Sequence, residues 1–261
     1  MSGAGLVMLL VAVFVLVATA SAAIVAGTHH GRSSATPGRS GSPSGQPGAS
    51  APAARGPTTT GPVDPAAGVL SIAVLGQGDL PPGTPLDVIP GGDQVRGTST
   101  LDLCNGAFPS ESLRTARLQV AASDAQGIPS LSTEAVLYKD AAATSQAFAE
   151  LRRAAATCPS TPVVSPVGEP TVTTHFKPPP DGAWPQVAGV DRLAYEFVAT
   201  DASGQSTHDI AVYLRRGRLL EGVYFQAPDD AQLSVDGQTS IPGIVNVLAT
   251  RIAKLPNSQV V

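Results

Sequence analysis

Few residues of this chain are equipped for chemistry. It holds four histidines, His29, His30, His175 and His208, and two cysteines, Cys104 and Cys158. The histidines fit neither an HExxH nor an HxH pattern, and the cysteines lie far apart without a CxxC, so no metal site is expected. No GxSxG elbow, SxxK motif or Walker loop occurs, and Gly76-Gln77-Gly78 lacks the continuation that a phosphate-binding GxGxxG loop requires. A catalytic cysteine needs a free thiolate beside a base, whereas an even pair in an exported chain most simply closes one disulfide. The expected bond is Cys104–Cys158. A loop of about 55 residues closed in this way is worth about 4 kcal/mol in the chain-entropy account. Catalytic residues and cofactors are both expected to be none.

Two residues are candidates for a ligand site. Glu221 falls by alternation on the face of Leu219, Val223 and Phe225, opposite Val212. A carboxylate there marks a cleft, or else sits at a sheet edge reaching solvent or pairs with an arginine of a helix. Trp184, the single tryptophan, lies in a loop of prolines and glycines, either to contact a ligand or to pack over the core. Were the domain an enzyme of unfamiliar type acting on envelope material, it would act through Glu221 or Asp191.

The elements that must position these residues are legible mainly after Leu101. Ile72 to Leu75 reads as a short strand or a helix turn, and Leu80-Pro81-Pro82-Gly83 forces a turn. Ala116 to Ala122 alternates with period two, and Ala135 to Tyr138 reads as its hairpin partner. Asp140 caps a helix running to Thr157, with Ala147, Phe148, Leu151, Ala154 and Ala155 on one face. Leu193-Tyr195-Phe197 alternates, Asp201 to Gly204 turns, and His208 to Arg215 alternates again. A tight turn at Arg216-Gly217 then pairs Arg215 with Arg218, Leu214 with Leu219 and Ile210 with Val223, and places His208 opposite Phe225. Arg215-Arg216-Gly217-Arg218 reads as a solvated hairpin tip. Ser240 caps a last helix with Pro242 in its first turn. The fold class is therefore α+β, an antiparallel sheet covered by two main helices and carrying one disulfide.

The N-terminal part is of another kind. Leu6 to Ala26 contains no charged side chain. As a helix at ~1.5 Å per residue it spans about 30 Å, the thickness of a bilayer core. Residues 1–30 are thus expected to be a single transmembrane anchor, with Ala20-Ser21-Ala22 as a cleavage site if they are instead a signal peptide. Residues 31–66 hold 30 Gly, Ala, Ser, Thr or Pro among 36 positions and are expected to be a disordered linker. Residues 67–261 are the folded domain. Arg32 and Arg39 follow the apolar stretch and no basic residue precedes it, which alone would keep the domain in the cytoplasm. The cysteine pair and the Ser/Thr/Pro tether argue for the outside, and a basic segment upstream of Met1 would reconcile the two. The domain carries 13 basic and 19 acidic side chains, a net −6, which repels phosphate backbones, so nucleic acid is not expected as a partner.

Glu134-Ala-Val-Leu-Tyr138, the Ala-rich helix with Phe148 and a terminal Cys158, and the closing stretch Ile244 to Leu255 together resemble the extracellular sensor domain of PknH-type mycobacterial Ser/Thr kinases and related lipoproteins. The resemblance spans residues 67 to 256. It implies an extracytoplasmic α+β domain with a cleft for a small ligand, and assigns no cleft residue to a position of this chain. That family usually forms two disulfides, and this chain has cysteines for one. Kinase motifs are absent. The expected function is a membrane-tethered, non-catalytic sensor or ligand-binding domain of the cell envelope. It is anchored to the membrane through residues 6–26 and meets a small ligand or a wall component. An envelope-acting hydrolase and a protein–protein interaction module are the alternatives.

Overall fold

The computed structural model describes residues 65–124, 127–164, 171–177, 184, 186–226 and 233–261. The apolar stretch 6–26 and the linker up to residue 64 lie outside the described residues. Among the described residues, no helix is long and apolar enough to cross a membrane.

Among the described residues, seven antiparallel strands form one sheet: β1 (Leu86–Val88), β2 (Arg114–Ser123), β3 (Pro129–Tyr138), β4 (Val172–Phe176), β5 (Asp191–Asp201), β6 (Ser206–Arg216) and β7 (Leu219–Gln226). Their order is β1-β2-β3-β7-β6-β5-β4. Two meanders, β1–β3 and β4–β7, therefore meet at the centre, where β3 pairs with β7. The helices are α1 (Pro65–Ala73), α2 (Ala141–Ala156), α3 (Ile241–Ala253) and the short α4 (Asn257–Val260). The sequence boundary at residue 67 falls inside α1, and of the two readings of Ile72 to Leu75, a short strand or a helix turn, the helical one holds, the segment being the end of α1 and its exit.

Period-two alternation sends each strand's side chains to two different cores. On the first face, Leu131, Ala135, Leu137, Leu219, Val223, Phe225, Val212 and Leu214 pack beneath α1, α3 and α4. On the second, Val136, Tyr138, Leu220, Ala211 and Tyr213 pack against α2 and the segment Leu101 to Phe108. The two main helices thus lie on opposite faces. Asp140 and Ser240 cap them as the sequence indicates: the Asp140 carboxylate accepts from the Ala143 amide at 2.8 Å and the Ser240 hydroxyl from the Gly243 amide at 3.2 Å.

The disulfide joins Cys104 to Cys158. It fastens the C-terminal end of α2 to a turn in which Cys104 and Asn105 both take left-handed backbone, with φ of 60° and 51°. Each such residue costs roughly 1–3 kcal/mol, and the cross-link, with the Asn105 side-chain amide donating to the Val163 carbonyl at 3.0 Å, holds the turn in place.

The β6–β7 hairpin departs from the sequence reading. Its turn is Gly217-Arg218, so Arg216 faces Leu219, Val212 faces Val223 and Ile210 faces Phe225. The expected pairing was displaced by two residues. Gly217 is required first in the turn because its φ is +55° and an added Cβ would lie 2.7 Å from the Val260 carbonyl carbon. His208 accordingly sits beyond the end of β7 and pairs with Val198 of β5. The arginine cluster is not a solvated tip either. Arg216 donates to the Leu255 carbonyl just past α3 and also, at 2.8 Å, to the Ile252 carbonyl, which accepts from the Leu255 amide as well. The Arg218 amide donates to the Val260 carbonyl at 2.6 Å. Arg215 reaches Asp191 and the Ser145 hydroxyl.

Candidate functional site

Glu221 lies on the first face, as alternation requires, but in register with Ala135 on one side and Leu214 on the other. Its strand is central, which overturns the reading as an edge residue reaching solvent. The side chain is 0% exposed, and neither carboxyl oxygen has a hydrogen-bond partner. Burial drives its pKa well above the ordinary carboxylate value, and the positive charge of Arg251 opposes this only in part. Arg251, on α3, is engaged elsewhere: it binds the Asp79 carboxylate through both terminal nitrogens, at 2.9 and 2.5 Å, and donates to the Val74 carbonyl at 3.2 Å. Position explains the arrangement. α1 packs over β2 and β3 and α3 over β6, so β7 and its carboxyl run beneath the seam between the two helices.

Trp184 packs against the same core, the outcome expected of a loop tryptophan shielding apolar residues. Its indole N–H is buried without a partner. Asp191 is held by Arg215 on the other face of the sheet, beside α2. The two carboxylates through either of which an enzyme was expected to act therefore lie on opposite faces of the sheet.

The second face carries a polar network that alternation placed on that side but that no motif announced. Arg117, 3% exposed, pairs with Glu134 and donates to the Gly91 carbonyl at 2.7 Å. The Thr100 hydroxyl donates to Glu134 at 2.7 Å, and Arg114 donates to Thr100 at 2.9 Å and to the Thr98 carbonyl at 2.6 Å. The Glu111 carboxylate accepts from the amides of Thr100 and Leu101 at 3.0 and 3.2 Å and from Arg114 at 3.0 Å. Burial outweighs these contacts and pushes Glu111 up to about 7. Together these groups fasten the long irregular connection between β1 and β2 onto the sheet.

From this network a row of aromatic rings crosses the sheet, one or two per strand. The Tyr224 hydroxyl donates to the Thr100 carbonyl at 3.3 Å, its ring folded over Gly222. Tyr224 meets Tyr213 edge-on at 5.9 Å, Tyr213 meets Tyr195 at 6.4 Å, and Tyr195 and Phe197 meet Phe176 at 5.7 and 5.8 Å. Covering is uneven along the row. Tyr213 is fully buried, while β5 is half-buried at every position after Asp191, including Leu193, Tyr195 and Phe197. Guanidinium groups of Arg152 and Arg215 flank Phe148 at 5.7 and 5.5 Å on the α2 side, and Arg152 also acts on Tyr195, whose hydroxyl pKa burial raises. On the opposite face of β5, His208 lies 2.8 Å from Glu196 and 3.1 Å from Lys177 in an exposed cluster. Among the described residues, no three His, Cys, Asp or Glu come together as a metal site would require.

The geometry is that of a disulfide-pinned α+β domain with one sheet face partly open. No protein-family model matches the chain, and no curated protein matches it. Among solved structures it is similar to the extracellular domain of PknH from Mycobacterium tuberculosis, at 12% identity and a TM-score of 0.37, over 70% of this chain and 92% of that one. That is the domain type the sequence pattern resembles.

Proposed function

We propose that this protein is a membrane-tethered envelope protein whose extracytoplasmic domain binds a ligand, without catalysis, on the second face of the sheet, over β4 and β5. The observation that carries the reading is the contrast along the aromatic row. Fully buried Tyr213, between Tyr224 anchored to the polar network and the outer strands, passes into half-buried Tyr195, Phe197 and Phe176, with the guanidinium of Arg152 alongside. Rings exposed on one side beside cationic donors suit a ligand with a flat apolar face and a polar or anionic rim, such as a wall saccharide or glycolipid headgroup. The disulfide supports an oxidising compartment, and residues 6–26 and the linker supply the anchor and its reach.

The test is retention of the full chain on isolated cell-wall and glycolipid fractions, with Tyr195→Ala and Phe197→Ala as variants. Saturable binding that falls about tenfold or more in the variants, a loss of about 1.4 kcal/mol, is the expected result. Binding unaffected by either substitution, or turnover of a wall substrate, would overturn the reading.

A further inference from the structure

The buried carboxyl of Glu221 and the clamp that Arg251 makes a short way off are two halves of one arrangement. A guanidinium at this seam has two acceptors within its field. One is Asp79, part-buried and holding Arg251 through both terminal nitrogens; the other is Glu221, wholly buried and bonded to nothing. We propose that Arg251 is a latch with two positions. In the state described here it holds the turn after α1 through Asp79 and the Val74 carbonyl; in the other it turns inward to the Glu221 carboxylate and lets that turn and α1 go.

The choice between positions is set by what Glu221 requires. A protonated carboxyl in an apolar core tolerates the absence of a cation, whereas an ionised one does not, because an unpaired buried charge is among the costliest features a fold can hold. Arg251 is the charged side chain that acts on Glu221, and Glu221, Asp79 and Asp236 are the acids that act on Arg251. The other elements over this seam offer no substitute. α1 and α4 carry no charged residue. The flanking strands place Ala135 and Leu214 beside Glu221, and Arg216 of β6 is committed to the Ile252 and Leu255 carbonyls. Arg192 of β5 stands beyond Leu214, a further strand away.

What the latch releases is equally defined. Among the described residues, hydrogen bonds tie the segment Leu75–Asp79 to the rest of the domain at four places: the Leu75 amide to the Thr133 hydroxyl at 3.0 Å, the Gln77 side-chain amide to the Thr84 carbonyl at 3.0 Å, the Asp236 amide to the Asp79 carbonyl at 2.7 Å, and Arg251 to Asp79; α1 itself is held by the burial of Val69, Leu70 and Ala73. α1 begins at Pro65, where the N-terminal segment enters the domain. Loosening it would free the N-terminal end of the domain, whatever the domain binds on its other face.

Hydrogen exchange of the full chain in lipid nanodiscs between pH 6 and 10, corrected for intrinsic rates, tests the latch. Emission of Trp184, the single tryptophan and a neighbour of this core, is followed in parallel. Wild type is expected to lose protection at residues 66–80 with rising pH while β3 and β7 stay protected, and Glu221→Gln is expected to keep those residues protected throughout. Asp79→Asn removes the competing acceptor and should move the transition down by about one pH unit, a tenfold change in the proton equilibrium. Should Glu221→Gln not fold, the Asp79→Asn shift alone decides. Identical wild-type and Glu221→Gln profiles, an unmoved midpoint in Asp79→Asn, or loss of protection in β3 and β7 at the same pH would each overturn the proposal.

Discussion

Replacing Glu111 with glutamine should flatten the pH dependence of stability between about pH 4.5 and 7. The Glu111 carboxylate accepts two backbone amides and pairs with Arg114, all of which favour the anion, yet burial wins and holds its pKa near 7 against 4.5 for the free side chain. A carboxyl raised in the folded state binds its proton more tightly there than in the unfolded chain. Its contribution to stability is therefore fully present below pH 4.5 and is lost as pH rises through about 7. At about 1.4 kcal/mol per unit, the difference of roughly 2.5 units amounts to about 3 kcal/mol. Glu111→Gln keeps one acceptor for the Thr100 and Leu101 amides but cannot titrate. Urea unfolding of wild type and variant from pH 4.5 to 8.5 should show the wild type losing about 3 kcal/mol relative to the variant, a midpoint displacement of about 1.5 M for a slope of about 2 kcal/mol per molar. Parallel curves would refute the reasoning. So would a wild type that gains on the variant as pH rises, since the amides and Arg114 would then outweigh burial.

Three other substitutions probe separate parts of the fold. Glu221→Leu removes a buried carboxyl with no partner and should stabilise the domain at pH 7 by about 1–3 kcal/mol, seen as a higher urea midpoint; a lower one would mean that Glu221 has a structural partner. Gly222→Ala sets a Cβ 2.5 Å from the Tyr224 ring carbon Cζ, so it should displace that ring, cost about 1–3 kcal/mol and alter the near-ultraviolet circular dichroism of the tyrosine row. Arg216→Ala takes the side-chain donor from the Leu255 carbonyl and a second donor from the Ile252 carbonyl and should lower stability by about 1–3 kcal/mol, with faster hydrogen exchange at the end of α3 and in α4.

Much of the fold is written in local pattern. Alternation located β2, β5 and β6, turns placed β3 and β7 as hairpin partners, and capping chemistry placed the starts of α2 and α3 at Asp140 and Ser240, because each signal depends on neighbours in the chain. The failures have long-range causes. The β6–β7 turn is set by the contact of Gly217 with the Val260 carbonyl, some forty residues on, so the local reading chose the wrong pair of turn residues. The arginines at that tip looked solvated for the same reason, their carbonyl partners lying at the end of α3. β1 and β4 are three and five residues long and sit at the sheet edges amid proline-rich sequence, where alternation has too few positions to register. The face on which Glu221 lies was legible. Its burial was not, because whether its strand is central or peripheral depends on the β3–β7 pairing across an intervening helix and three strands. The burial of Arg117, Gln119 and Glu134 was hidden for a similar reason, since only tertiary structure lays the stretch Gly91 to Thr100 over them.

The account depends on a domain that folds outside the cytosol with Cys104 and Cys158 joined. Intact-mass measurement of the chain released from native membranes, alkylated before any reductant is added, tests this most directly. No alkyl group should be taken up until reduction, after which two should add. Uptake of two groups without reductant would contradict it.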